Sequence, residues 1–114
     1  MSTITRIESG PRMSQAVVYN GIAHLAGQVA KGDGAEVQTR AVLSEIDRLL
    51  AAAGTDKSKI LTAQIWLADM ADFGAMNTAW EAWVDPANTP ARWTGEARLA
   101  APEYLVEIIV TAAV

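Results

Sequence analysis

Met13-Ser14-Gln15-Ala16-Val17-Val18-Tyr19-Asn20-Gly21-Ile22-Ala23-His24-Leu25-Ala26-Gly27-Gln28-Val29 places two apolar runs on either side of an Asn-Gly pair. Asn and Gly tolerate positive φ at both central positions of a tight turn, as a type I′ hairpin requires. Residues 13–19 therefore read as one strand and 22–29 as its antiparallel return. Gly27 inside the return strand signals a bulge or a close backbone approach. Upstream, Thr3 to Glu8 reads as a further edge strand.

Downstream the period changes. Lys31-Gly32-Asp33-Gly34 is a turn, and from Ala35 to Ala53 the apolar positions Val42, Ile46, Leu49, Leu50 and Ala53 recur at helical steps. Gly54 fits the position just past a helix end. Lys59 to Leu67 alternates again, with Leu61, Ala63, Ile65 and Leu67 on the drier face and Ile60, Thr62, Gln64 and Trp66 opposite. Asp72 can cap a second helix that buries Phe73, Met76, Trp80 and Trp83 or Val84. Asp85 to Pro90 is a loop; Arg92 to Leu99 and Tyr104 to Ala113 are two closing strands hinged at Ala101-Pro102. Strands, helix, strand, helix and two strands make one sheet with two helices on one face, an α+β fold.

The 114 residues suit a single domain spanning 1–114. Hydrophobic residues make up 51% of the chain, more than one small domain readily hides, so the uncovered sheet face is expected to meet other copies. There is no cysteine, which excludes disulfides, thiolate metal sites and a Cys nucleophile. No apolar run has membrane-spanning length and the Met1–Arg6 opening lacks a signal-peptide core, so no membrane partner and a cytoplasmic location are expected. The net charge is −4 and the nine Lys and Arg are scattered, which argues against nucleic acid as a partner.

Thr89-Pro90-Ala91-Arg92, with Glu107 on the following strand, carries most of the chemical signal. Arg is rarely buried without an anion, and its planar fork suits a carboxylate. Arg92 is thus either a structural cation paired with Glu96, Glu107 or a loop carbonyl, or a clamp for a small carboxylate ligand. Glu107 lies in a β-branched run; it either alternates out to solvent or serves as a partly buried acid that holds a water or relays a proton. Trp93 should point away from Arg92, toward the helices or a neighbouring subunit. Asn77, mid-helix among apolar neighbours, either faces solvent or orients a ligand. His24 is the one histidine, and no Asp/Glu/His cluster has ligand spacing, so no metal is expected.

Four segments together resemble the RidA (YjgF) family of enamine/imine deaminases. They are Ser14-Gln15-Ala16-Val17, Leu25-Ala26-Gly27-Gln28, Met76-Asn77 with Trp80-Glu81-Ala82-Trp83, and Pro90-Ala91-Arg92 with Val106-Glu107-Ile108. The resemblance implies a mixed sheet with two helices on one face, of the chorismate-mutase-like kind. It also implies a homotrimeric barrel with sites in clefts between subunits. It implies that Arg92 binds a substrate carboxylate and that Glu107 helps to place the hydrolytic water. Asn77 and Gly27 then line the pocket. Three positions depart from the best-known members: Met13 replaces a Tyr, Ala26 a Ser and Thr94 a Cys. These departures look like a sister subgroup; Met13, Ala26, Trp93 and Thr94 would also meet the substrate.

The activity so implied is cofactor-independent hydrolysis of 2-imino acids or their 2-aminoacrylate-like enamine tautomers to 2-keto acids and ammonia. A keto-acid binding or regulatory protein is the alternative from a different class. A ribonuclease, an activity also attached to the family, fits the charge less well.

Overall fold

The computed structural model describes residues 3–114, so the first two residues of the Met1–Arg6 opening lie outside it. The Asn-Gly turn forms as read: Asn20 and Gly21 have φ of 51° and 76°, and Tyr19 pairs with Ile22 across it. The turn joins β2 (Ser14–Tyr19) to β3 (Ile22–Leu25), with β1 (Thr5–Ser9) antiparallel on the outer side of β2. The other strands are β4 (Ile60–Leu67), β5 (Ala91–Glu96) and β6 (Val106–Ala113). The six strands form one sheet in the order β1-β2-β3-β6-β4-β5. Every pairing is antiparallel except that of β4 with β5. A parallel pair needs a crossover, which α2 (Phe73–Trp83) supplies. The sheet is therefore mixed, and β5 is an edge strand.

Helix α1 (Ala35–Ala52) packs across β3 and β6 and against α2. Its buried face is Val42, Leu43, Ile46, Leu49 and Leu50. It ends in a Schellman motif: Gly54, at φ 86°, donates its N–H to Ala51 O (3.0 Å), and Thr55 N–H reaches Leu50 O (2.9 Å). The core between helices and sheet takes alternate residues of the central strands, Ala63, Ile65 and Leu67 from β4 and Val106, Ile108, Val110 and Ala112 from β6. The opposite face carries Val17, His24, Gln64, Trp66, Trp93, Glu107 and Ile109, all half-buried or exposed. Neither helix covers that face. No helix among the described residues is long and apolar enough to cross a membrane.

Several expected boundaries shift. β3 stops at Leu25 rather than running to Val29. His24 pairs with Thr111 and Gln28 bridges Ile108, four steps on one strand against three on the other, so one residue bulges near Gly27. A second irregularity at the start of β4 overturns one face assignment: Ile60 is buried and Leu61 is 45% exposed. β5 ends at Glu96, not Leu99, and β6 begins at Val106, not Tyr104; a loop intervenes. Buried Gln38 of α1 pins that loop by donating to Glu103 O (2.9 Å) and accepting from Leu105 N (2.8 Å). In α2 the buried residues are Met76, Ala79 and Trp80, while Phe73 is 39% exposed. Asp72 stands at the N-cap without a side-chain cap bond. Asp69 instead accepts from Ala71 N (2.9 Å) in the preceding 3-10 turn.

Candidate functional site

Arg92 pairs with Ala63 in the parallel ladder, so its side chain lies on the helix-facing side of the edge strand. Asn77 and Trp80, one turn apart on α2, meet it there. Arg92 Nη1 donates to Asn77 Oδ1 (2.8 Å), and the guanidinium carbon sits 5.3 Å from the centre of the Trp80 ring. The ion pairs among the described residues join Glu36 to Arg40 and Glu8 and Glu45 to Arg48, and none involves Arg92. Glu96, one expected partner, accepts from Met70 N instead (2.9 Å). Burial holds the Arg92 pKa below its ordinary value, with the charge of Glu81 acting the other way. The group still carries its charge at neutral pH. Arg92 is thus a half-buried cation held by an amide and a ring, with no carboxylate among the described residues bound to it.

Thr94 pairs with Ile65 and shares the helix-facing side with Arg92. Its hydroxyl oxygen is buried with no hydrogen-bond partner among the described residues, an arrangement that costs about 1–3 kcal/mol. Trp93 points to the other face, as alternation requires, and is 50% exposed.

Glu107 lies across the sheet from Arg92. It pairs with Trp66 and projects on the face without helices. Its carboxylate packs onto Gly27, where an added Cβ would stand 2.1 Å from Oε2. Trp66 leans the other way, onto Gly95, where a Cβ would fall 2.8 Å from the indole. β6 lies beside β3 and β4 beside β5, so these two glycines let Glu107 and Trp66 splay apart. The bulge that carries Gly27 is held by its neighbours. Ala26 donates its N–H to Gln15 O (2.9 Å), and buried Gln28 donates to Ala26 O (3.0 Å) and Gln15 Oε1 (3.1 Å). Met13 lies just before β2, 45% exposed, its carbonyl accepting from Gly10 N (2.8 Å).

The structure thus forms two clusters. Arg92 and Thr94 lie on the helix-facing side of the β5 edge, with Asn77 of α2 on Arg92; Gly27 and Glu107 lie on the open face, with Ala26 in the adjoining bulge. Arg92 and Glu107 are two strands and three residues apart, roughly 14 Å at about 4.8 Å per strand and 3.3 Å per residue, and they face opposite ways. The alternative in which Glu107 pairs with Arg92 within the chain is therefore corrected. Two cavities lie elsewhere. One, of about 540 Å³, is lined by residues of the loop after β5, including Arg98, Pro102 and Tyr104. The other, of about 300 Å³, sits between α1 and α2 beside Asp47, Lys57 and Trp83. Neither contains a site residue read from the sequence.

Read from the sequence, Trp80 belongs to the buried stripe of the second helix, and Trp66 and Gln28 carry no part in the chemistry. The helical step from Asn77 to Trp80 was the available sign for the first. Gln28 is legible only as the neighbour of Gly27.

Comparison with known proteins agrees along the chain. The family model described as endoribonuclease L-PSP matches residues 3–114. A RutC family protein of Haemophilus ducreyi is 52% identical over 113 residues, covering 97% of each chain. The RutC family protein YoaB of Escherichia coli is 44% identical, covering 98% of this chain and 99% of its own. The crystal structure of a YjgF-family member from Neisseria meningitidis superposes with a TM-score of 0.96 at 48% identity, covering 97% of this chain and 94% of that one.

Proposed function

This chain belongs to the RutC/YjgF family, and on that premise we propose that it hydrolyses small 2-imino acids, or their enamine tautomers, to 2-keto acids and ammonia. The carrying observation is the Arg92 seat: a half-buried guanidinium with no carboxylate of its own. A substrate carboxylate supplies the missing partner through two charge-assisted hydrogen bonds. Water adds to the protonated imine carbon, forming a C–O bond and placing the imine π pair on nitrogen. The added water passes one proton to the amine nitrogen, and the carbinolamine then gives up its remaining O–H proton as the C–N bond breaks, releasing ammonia and leaving the ketone. Glu107 orients the water or relays its proton. Asn77 holds Arg92; Gly27 leaves room for the Glu107 carboxylate; Met13, Ala26, Trp93 and Thr94 bound the ligand. No cofactor takes part.

The two clusters face opposite ways in one chain, so both reach one ligand only if a second copy supplies one of them. A homotrimer whose open sheet faces close into a barrel, with sites between subunits, meets that need. It also covers Trp66, Trp93 and Ile109. A cytoplasmic setting suits a protein that meets imines shed by other enzymes.

The test generates imines from several amino acids with an amino-acid oxidase and lets semicarbazide compete for them. The protein should lower the trapped adduct. Arg92→Ala should lower that activity by at least ~10–100-fold, since a charged hydrogen-bonded contact contributes ~1.5–3 kcal/mol. Wild-type activity in a folded Arg92→Ala protein removes Arg92 from the mechanism. Saturable keto-acid binding with no turnover of small, acidic or bulky imines would instead establish a binding or regulatory protein. The family model's description raises RNA cleavage as another reading. A net charge of −4 disfavours a polyanion, and cleavage that tracks the repurified protein with a steep salt dependence would be required to revive it.

A further inference from the structure

We propose that Trp80 is a positioning residue for ligand carboxylates: with Asn77 it seats the Arg92 guanidinium so that the Nε–Nη2 edge is presented as the fork. The inference rests on the carboxylate-binding part of the reading above. Three observations converge on it. Asn77 Oδ1 engages Nη1, leaving Nε and Nη2 without a hydrogen-bond partner among the described residues. Trp80 lies 5.3 Å from the guanidinium carbon, within the range at which an aromatic ring attracts a cation. Trp80 is itself fixed, 6% exposed in the core and tilted against Trp83 with ring centres 5.4 Å apart.

A long Arg side chain on an edge strand otherwise spreads over many rotamers, and ordering it on binding costs affinity. A fixed ring on one side and a fixed amide at one nitrogen remove most of that freedom in advance. The edge that remains has the geometry for one planar carboxylate held side-on. Trp80 touches Arg92 rather than the ligand, so its effect must pass through the grip and not through the chemistry of the C=N bond.

The experiment measures binding of 2-oxobutanoate and of its uncharged amide by calorimetry, in wild type, Trp80→Phe and Trp80→Leu, each with and without Arg92→Ala. Phe keeps a ring; Leu keeps apolar bulk without one. The expected result is 2-oxobutanoate affinity within about threefold of wild type for Trp80→Phe and about tenfold weaker for Trp80→Leu. Amide binding should be unchanged, and Trp80→Leu should cause no further loss once Arg92 is gone. Four results overturn the proposal: no effect of Trp80→Leu, equal weakening of acid and amide, the same loss without Arg92, or no carboxylate binding by the wild type. Should Trp80→Leu not fold, the Arg92 Nε–H resonance of the wild type decides. It should be ring-current shifted and move on addition of 2-oxobutanoate; an unshifted or unmoved signal overturns the proposal. Binding with these properties but no imine turnover would sink the hydrolase reading and leave the Trp80 role standing. Turnover with an unaffected Trp80→Leu would do the reverse.

Discussion

Gly27 shows how one missing side chain can decide a site. A Cβ there would stand 2.1 Å from Glu107 Oε2, and no real contact is that short. Gly27→Ala must displace the carboxylate, and a flexible Glu can move without unfolding the chain. We therefore expect Gly27→Ala to melt within a few degrees of wild type while imine hydrolysis falls by about tenfold or more. Thermal unfolding alongside the semicarbazide assay checks this; unchanged activity would show that the Glu107 position is immaterial. The sequence offered Gly27 as a bulge or a close backbone approach; the bulge occurs, and what comes close is a side chain, not a backbone. It could not say what approaches, because Glu107 is 80 residues away along the chain. Arg92 is a similar case. Its type and setting pointed to an anion, but Asn77 and Trp80 become its partners only when α2 lies over the β5 edge.

At the scale of elements, β1 is the outer strand and pairs with β2 alone. A surface ion cluster ties it to α1: Arg48 Nη1 and Nη2 donate to the Glu8 carboxylate at 2.5 and 3.0 Å, and Arg48 also binds Glu45. Hydrogen bonds from Arg48 hold the pKa of both Glu8 and Glu45 below the usual carboxylate range. A carboxylate depressed in the folded state contributes stability above its unfolded value, about 4.3, and loses it as pH falls through the folded value. Hydrogen exchange across β1 should therefore rise, relative to β6, between neutral pH and about pH 3 after correction for intrinsic rates. Arg48→Met should expose β1 already at neutral pH. Equal protection of β1 at both pH values would deny the tether. Solvent screening keeps the effect small, so it belongs to the edge and not to the whole fold. Most strand and helix segments were legible because period-2 and period-3.6 patterns are local. The shifts at Leu61, Leu25 and Leu99 were not, because bulges and strand ends are set by the partner strand.

At the scale of the whole molecule, the opposed faces of Arg92 and Glu107 lead to a prediction that a self-contained site would not meet. In a trimer whose sites draw Arg92 from one copy and Glu107 from the next, Arg92→Ala and Glu107→Gln homotrimers should both be nearly inactive. Subunits of the two kinds, unfolded and reassembled together, should recover about a quarter of wild-type activity, because random assembly pairs an intact Arg92 with an intact Glu107 at about that fraction of sites. No recovery in mixed assemblies, verified by mass, would place each site within a single chain. By itself the sequence determined the α+β class, the hairpin, both helices and the residue types that carry the chemistry. Those follow from local periodicity, turn geometry and the cost of burying a cation. Only the tertiary structure decided which face each residue occupies: strand pairing sets Arg92 under α2 and Glu107 on the open side. A bulge or a one-residue slip reverses that assignment, and its energetics lie in contacts between segments far apart in the chain.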